Sequence, residues 1–172
     1  MTAFKMGRGI GGHHSARFNS CEWYTPPEIV HALGEFDLDP CSPAGYHQFW
    51  TAQKHFTEKE DGFVQKWKGR VWLNPPYGPD TWKWLWKLYE HGNGIALIFA
   101  RTETKGFFRC VWNKADAIFF FYGRLSFINS NGDRSTHNSG GPSCLVAYGE
   151  NNVYALKESG LKGKLVYLSP GM

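Results

Sequence analysis

The hydrophobic positions of this 172-residue chain follow a helical period in three stretches beyond residue 25. PPEIVHALG predicts a short helix, with Thr25 as its N-cap, proline in its first turn and Gly34 at its end. In DTWKWLWKLYEHG the tryptophans alternate as in a strand, but apolar residues also recur at i, i+3, i+4 and i+7 from Trp82, which favours a helix. TETKGFFRCVWNKA predicts a third helix.

Strand-like stretches lie between and after these helices. EFDLD predicts a brief strand with Phe36 and Leu38 pointing inward, and KHFT and RVWL predict two more. GIALIFA is uninterrupted and apolar, as is typical of a strand buried on both faces of a parallel sheet. DAIFFFYGRLSFI predicts a long strand with a bulge at Gly123, and SCLVAYG a further strand. The alternation predicts one α/β domain over residues 21–172, with helices on both sheet faces and a C-terminal antiparallel hairpin.

Two polar segments interrupt or precede this pattern. Residues 1–20 are rich in Gly, Ser and charge, which predicts a flexible N-terminal arm. The Gly- and Ser-rich loop 129–143 is long for a compact domain, so we expect it to be functional or mobile. His13 and His14 lack partner ligands at useful spacing, so we expect a polar tail and no metal site.

Composition narrows the class of protein. Hydrophobic residues make up 42% of the chain and aromatic residues 17%, which excludes disorder throughout. The net charge of +4 is compatible with a polyanionic partner but does not establish one. The four cysteines are scattered without a CxxC pair, which argues against a zinc site or a disulfide framework. No stretch has the roughly 20 apolar residues of a membrane helix. The N-terminus also lacks the apolar segment of a signal peptide. We therefore expect a soluble, reduced, cytoplasmic protein.

The stretch GRVWLNPPYG ends a predicted strand with an unusual group of residues. Ligands of open α/β sheets bind beyond the carboxyl ends of the strands, where Asn74, Pro75, Pro76 and Tyr77 should lie. Asn74 supplies a side-chain acceptor, and the prolines hold neighbouring carbonyls in fixed directions without competing N–H groups. Tyr77 offers a flat face, and stacking of a base on such a face contributes about 1–3 kcal/mol.

Two fixed acceptors beside a stacking face suit the exocyclic amino group of a nucleobase. If Asn74 Oδ1 and the Pro75 carbonyl held both N–H bonds, the nitrogen could turn its lone pair toward an electrophile, with no strong base needed. The alternative is that the two prolines merely end a strand and that Tyr77 packs at its rim.

The residues that surround this stretch resemble a known family. NPPY matches the (D/N/S)-P-P-(Y/F) signature of amino methyltransferases that use S-adenosylmethionine. The ordered segments EWYTPPEIV, FDLDPCSP, EDGF, GRVWLNPPYG, ALIFARTET, GRLSF and PSCLVAYG resemble the Dam-type N-6-adenine DNA methyltransferases of bacteriophages and prophages. The resemblance covers roughly residues 20–168 and implies a Rossmann-like class I methyltransferase fold.

The resemblance also implies which residues bind the cofactor. Thr25 and Pro26 match a segment that touches the methionine carboxylate, although Thr25 could serve only as a helix cap. Asp39 takes the position of the acid that meets the ammonium group, with Pro40 and Cys41 on the same wall; no partner that would make Cys41 a nucleophile is apparent.

Asp61 in EDGF matches the acid expected at the cofactor's adenine, with Gly62 allowing close approach; a solvated turn aspartate is the alternative. The chain departs from the wider pattern twice. The glycine-rich Gly-x-Gly cofactor loop is missing, and Asn74 replaces the more frequent Asp, so its NH₂ group must be held by another residue.

The expected substrate is double-stranded DNA, from which the target adenine must be flipped. Candidate DNA contacts are Arg134 and His137 in the long loop, Arg101 and Lys105 after GIALIFA, and Lys5, Arg8 and Arg17 in the arm; Arg101 and Lys105 could equally be a solvated helix start.

The leading hypothesis is thus adenine-N6 methylation of DNA in a bacterial host cell by a phage- or prophage-encoded enzyme. The alternatives are cytosine-N4 methylation, an RNA or protein-glutamine substrate, and a DNA-binding module or phage decoy protein without catalysis.

Overall fold

The computed structural model describes residues 24–45, 49–128, 133–134 and 140–169. Within these residues, seven strands form one mixed sheet with helices on both sides. The strands are β1 (Leu38–Asp39), β2 (Lys54–His55), β3 (Val71–Leu73), β4 (Gly94–Phe99), β5 (Ala117–Phe121), β6 (Ser143–Tyr148) and β7 (Gly163–Tyr167). The helices are α1 (Pro27–Ala32), α2 (Thr81–His91), α3 (Lys105–Phe107), which continues as a π-helix over Phe108–Trp112, and α4 (Glu150–Glu158).

The spatial order of the strands is β2-β1-β3-β4-β6-β5-β7. The first four strands in this order are parallel, and β6, β5 and β7 continue the sheet in antiparallel pairs. The carboxyl ends of the parallel strands therefore meet at one edge of the sheet, where ligands bind in open α/β folds. The α/β class and the antiparallel pairing of β5 with β6 confirm the prediction from the sequence.

Each face of the sheet carries its own hydrophobic core. On one face, Leu85 and Leu88 of α2 and Phe107 of α3 pack against the sheet. On the other face, Ile29 of α1 and Leu156 of α4 pack against it. Because β4 lies between both cores, residues 94–98 are buried throughout, as the uninterrupted apolar run predicts.

Three expectations about local structure are wrong. The N-cap of α1 is Pro26 rather than Thr25, because a residue that precedes a proline is held in extended backbone and the helix cannot begin before Pro27. Strand β5 ends at Phe121, well short of the long strand expected, so Gly123, with φ of +86°, belongs to a turn and is not a bulge. The pattern also gave no sign of α4 and β7.

Other local predictions are confirmed. Gly34 and Gly92 follow α1 and α2 with φ of +84° and +75°, the left-handed conformation that ends helices. Phe36 and Leu38 are buried beside β1. The predicted arm, residues 1–20, and most of the loop 129–143 lie outside the described residues.

Candidate active site

Asn74 directly follows β3 at the carboxyl edge of the sheet. Its Nδ2 lies 3.4 Å from Thr25 Oγ1, so the hydroxyl can accept a hydrogen bond from the amide. This contact supplies the missing partner for the NH₂ group of Asn74. The Oδ1 atom is buried and has no hydrogen-bond partner within the described part of the chain. Buried polar atoms without partners are rare in proteins, and they commonly mark a place for a ligand or a water molecule.

The two prolines and Tyr77 form a rigid connection to the next helix. The Pro76 carbonyl accepts a hydrogen bond of 2.7 Å from Thr81 Oγ1, in the first turn of α2. The Tyr77 ring is 40% exposed and stacks on Phe99, the last residue of β4, with centroids 4.3 Å apart and planes at 24°. One face of Tyr77 is therefore supported by Phe99, and the opposite face can receive a flat ligand.

Asp39, at the end of β1, is a buried carboxyl group within the same region. Its Oδ1 accepts a hydrogen bond of 3.0 Å from the Cys41 amide, and its Oδ2 accepts one from the Thr51 hydroxyl. Burial raises the pKa of Asp39 to about 6, against the opposing effect of these two bonds. At neutral pH a carboxyl group with this pKa is mostly ionised, so it can pair with a cation.

Cys41 lies beside this carboxyl group but is not activated. Burial raises the pKa of its thiol far above the usual range, and the nearby Asp39 and Asp61 carboxylates add to the effect. The group is therefore a thiol at neutral pH, which supports the expectation that Cys41 is no nucleophile.

Asp61 is exposed and has φ of +49°, a left-handed conformation that is uncommon for residues with a side chain. The neighbouring Gly62 explains the placement, because a Cβ atom there would lie 2.0 Å from the Pro40 carbonyl oxygen. The EDGF turn thus packs closely against the loop after β1, and it is the Pro40 backbone that approaches Gly62.

A small cavity joins several predicted cofactor residues, and the space in it that is open to a water molecule is about 20 Å³. Its lining contains Thr25, Asp39, Cys41 and Asn74. Pro26 and Pro40 are sequence neighbours of these residues and are also buried. This space holds about one water molecule, since a water needs roughly 10–15 Å³ by this measure, so only a small group of a ligand fits without movement of the walls. The structure thus brings four of the predicted residues together around one cavity. Tyr77 and Asp61 do not line it.

The predicted DNA contacts lie in different surroundings. The Arg101 guanidinium is 5.9 Å from the centroid of the Phe99 ring, so it lies next to the Tyr77 stack. Lys105 instead lines a groove with Trp86 and Arg109, away from the lining of the cavity. Arg134 is exposed and forms an ion pair with Glu28 of α1. His137, Lys5, Arg8 and Arg17 lie outside the described residues.

The sequence analysis did not predict two residues of the site, Thr51 and Phe99. Thr51 bonds the Asp39 carboxylate from a segment of weak pattern. Phe99 supports Tyr77, and its position as the last residue of a buried strand could have pointed to it, because strand ends at this edge carry ligand contacts.

Among the described residues there is no cluster of three or more histidine, cysteine, aspartate or glutamate side chains suited to a metal ion. Nor does any described helix have the length and apolarity to span a membrane.

The fold and this site define an α/β enzyme with its ligand groups at the carboxyl edge of a mixed sheet. The family model for DNA N-6-adenine-methyltransferase (Dam) matches residues 14–155. The chain belongs to this family, and it is an adenine-specific DNA methyltransferase. No curated protein and no solved structure matches the chain.

Proposed function

We propose that this enzyme uses S-adenosylmethionine to methylate the N6 atom of an adenine flipped out of double-stranded DNA, with residues 74–77 as the catalytic segment. The observation that carries the proposal is the buried, unpartnered Oδ1 of Asn74 at the carboxyl edge of the sheet. An amino group is a hydrogen-bond donor that such an acceptor lacks.

The residues around Asn74 account for its orientation. Thr25 holds the NH₂ end of the amide, which leaves the carbonyl end for the substrate. The Pro75 carbonyl follows directly in the chain and is the natural second acceptor for the other N–H bond. With both N–H bonds held, the nitrogen lone pair is directed out of the ring plane, toward the reacting methyl group.

The bound cofactor supplies an electrophilic methyl group on a sulfonium sulfur. In transfer of this methyl group from sulfur to N6, Asn74 Oδ1 and the Pro75 carbonyl would stabilise the positive charge on N6. The amino proton then leaves to solvent, so no residue of the segment needs to be a strong base.

The side chains that line the small cavity beside Asn74 support a role in holding the amino-acid end of the cofactor. When ionised, the Asp39 carboxylate can pair with an ammonium group, and its bonds from Thr51 and the Cys41 amide fix its orientation. Thr25 lies on the same wall and can donate its hydroxyl proton to a carboxylate. Asp61, on the turn held by Gly62, is assigned to the cofactor's adenine.

The substrate base is assigned to the exposed face of Tyr77. Phe99 supports the ring from behind, so a stacked base does not need to order it. Arg101 lies beside this stack and is suited to a phosphate next to the flipped nucleotide. A DNA substrate and the phage-type resemblance together assign the enzyme to the cytoplasm of a bacterial host.

The test is incubation of duplex DNA with methyl-labelled S-adenosylmethionine, followed by digestion to nucleosides. We expect the label in N6-methyladenine. Label in N4-methylcytosine would contradict the assigned base. A chain that shows neither label nor a thermal shift with the cofactor would be an inactive module.

A further inference from the structure

A basic and aromatic surface lies at the same edge of the sheet as Asn74. Strand β5 is antiparallel to β6, which is antiparallel to β4, so β5 and β4 run in the same direction and end at the same edge. Tyr122 directly follows β5 there and is 87% exposed, more than any other large apolar side chain in the described part of the chain. A single exposed ring needs no explanation, so its surroundings decide whether it has a role.

The start of β7 brings positive charge next to this ring. Strand β7 is antiparallel to β5, and its start, with Lys162 and Lys164 on either side of Gly163, lies beside the end of β5. The Tyr122 amide donates a hydrogen bond of 2.9 Å to the Lys162 carbonyl. A Cβ atom at Gly163 would lie 2.2 Å from the Phe120 carbonyl oxygen, so the two strands pack closely at this point. The backbone of both lysines is therefore fixed beside Tyr122.

Positive charge outweighs negative charge in the two segments that meet here. Residues 121–128 and 157–164 carry four cations and one carboxylate, all exposed: Arg124, Lys157, Lys162, Lys164 and Glu158. Exposed cations beside an exposed phenol suit a polyanion, because Lys and Arg pair with phosphates and tyrosine hydroxyls bond to phosphate oxygens. We refer to Tyr122, Arg124, Lys162 and Lys164 as the rim surface.

The rim surface is close enough to the catalytic segment for one duplex to reach both. Strand β6 lies between β4 and β5, so about 10 Å separates the end of β4, which carries Phe99, from the end of β5. Strand β7 adds about 5 Å. These spans correspond to ~3–4 base pairs at roughly 3.4 Å each. A duplex whose adenine is stacked on Tyr77 can therefore contact the rim surface through nucleotides a few positions away.

We propose that the rim surface binds the phosphate backbone of the duplex next to the flipped adenine, with its cations paired to phosphates and the Tyr122 hydroxyl donating to a phosphate oxygen. This inference rests on the function proposed above. Phosphate contacts fix where a protein lies on a duplex but carry no sequence information. The rim surface therefore positions the DNA, and the choice of site is left to contacts with the bases.

The first experiment removes charge from the rim surface. Binding of a fluorescently labelled duplex of mixed sequence is measured by anisotropy at several salt concentrations. For Lys162→Gln/Lys164→Gln, the slope of the log association constant against log salt should become less negative by about 1.8, which is roughly 0.9 for each phosphate contact. Affinity at about 0.1 M salt should fall roughly 10- to 100-fold. The matched control is Lys66→Gln/Lys68→Gln, which changes exposed lysines before β3, at the opposite edge, and should keep the wild-type slope.

The second experiment removes the hydroxyl. Tyr122→Phe should lower affinity for the duplex about 3- to 10-fold, as for loss of one hydrogen bond, without a change in slope, since no charge is removed. The loss should be the same for duplexes of different sequence. Tyr154→Phe, at an exposed position of α4, is the matched control. Melting temperatures and cofactor affinities of all these variants should match those of the wild type.

An unchanged salt slope in Lys162→Gln/Lys164→Gln, or an equal change in the Lys66→Gln/Lys68→Gln control, would overturn the role of the rim surface while leaving the methyltransferase function intact. A wild-type enzyme that binds the duplex with the expected dependence on Lys162 and Lys164 but labels no adenine would refute the function proposed above and would support the rim surface as a DNA-binding site.

Discussion

The side-chain amide of Asn74 has two ends with different surroundings. Thr25 contacts the nitrogen, whereas the oxygen is buried without a partner among the described residues. The signature that the sequence matches allows Asp, Asn or Ser at this position, and here the contact of Thr25 with the amide nitrogen leaves the carbonyl as the end without a partner. The asparagine at position 74, in place of the more frequent aspartate, is thus accompanied by a neighbouring hydroxyl, that of Thr25, that contacts the amide nitrogen.

We predict that Asn74→Ala lowers kcat by about 10²- to 10³-fold, the range found when one oriented group that stabilises a transition state is removed. Cofactor affinity, measured by calorimetry, should change little. Asn74→Asp keeps an acceptor and should retain more activity than Asn74→Ala. Asn113→Ala, at an exposed position, is the control. A kcat of Asn74→Ala near that of the wild type would show that Oδ1 does not hold the substrate.

Asp39 gives the site a pH dependence at the same scale. In the proposed function the Asp39 carboxylate pairs with the cofactor, and its raised pKa of about 6 then means that cofactor binding releases a proton below that pH. We predict that affinity for S-adenosylmethionine rises as the pH increases from 5 to 7, by up to about tenfold per unit below the pKa, and then levels off. Calorimetry over this range measures the effect.

Asp39→Asn should bind more weakly at pH 7 and should lose the pH dependence, whereas Glu58→Gln, an exposed change, should keep it. Stability has the opposite sign. Between about pH 4 and 6 the folded protein holds the Asp39 proton more tightly than the unfolded chain, so without cofactor this group lowers stability as the pH rises. A slope of affinity that persists in Asp39→Asn would assign the titration to another group.

At the scale of elements, the EDGF turn and the loop after β1 meet in a close backbone contact at Gly62. The EDGF turn approaches the loop after β1 so closely that Gly62 has no room for a Cβ atom, which would lie 2.0 Å from the Pro40 oxygen. The neighbouring Asp61 has left-handed backbone with φ of +49°. Loop packing, rather than a glycine-rich cofactor loop, therefore shapes this wall.

We predict that Gly62→Ala lowers the free energy of unfolding by about 2 kcal/mol or more and weakens cofactor binding, since the clash is with backbone that cannot rotate away. Chemical denaturation and calorimetry measure the two effects. Gly140→Ala is the matched control, because a Cβ atom there meets nothing within 4 Å. Equal stability of the two variants would mean that the turn can shift without cost.

At the scale of the whole molecule, the buried side chain of Asn152 connects several elements at the edge of the sheet opposite the site. Asn152 of α4 is fully buried; its Nδ2 donates to Asn93 Oδ1 at 2.9 Å and to the Tyr148 carbonyl at 2.8 Å, and its Oδ1 accepts from Arg70 Nε at 2.7 Å. This network joins α4, β6 and the starts of β3 and β4. It lies at the far ends of the strands from Asn74.

We predict that Asn152→Ala destabilises the protein by about 2–4 kcal/mol, because it leaves several buried polar groups without partners. The kcat of the folded fraction should stay within about twofold of the wild type, since no residue of the site is touched. Thermal unfolding and initial rates below the transition measure both. The exposed Asn151→Ala is the control; a loss of turnover without a loss of stability in Asn152→Ala would contradict this separation.

Secondary-structure elements that depend on interactions between neighbouring residues could be predicted from the sequence, whereas those that depend on contacts between distant residues could not. Local signals predicted α2, β3, β4 and β6, because helical period, apolar runs and glycine ends are written in neighbouring residues. The end of β5 and the presence of α4 and β7 were missed. Helix α4 buries only Asn152 and Leu156, and β7 is half-buried or exposed along its length, so neither element has the strong apolar pattern of β4.

The sequence by itself determined the α/β class and the chemistry that Asn74, Pro75, Pro76 and Tyr77 can perform, since residue type and backbone restriction are local properties. Only the tertiary structure decided which groups meet: Thr25 with Asn74, Thr51 with Asp39, Phe99 with Tyr77 and Ser143 with Phe99. Those contacts depend on strand order and register, which are set by burial over the whole sheet. Hence the residue types indicated the reaction, whereas the geometry that supports it required the fold.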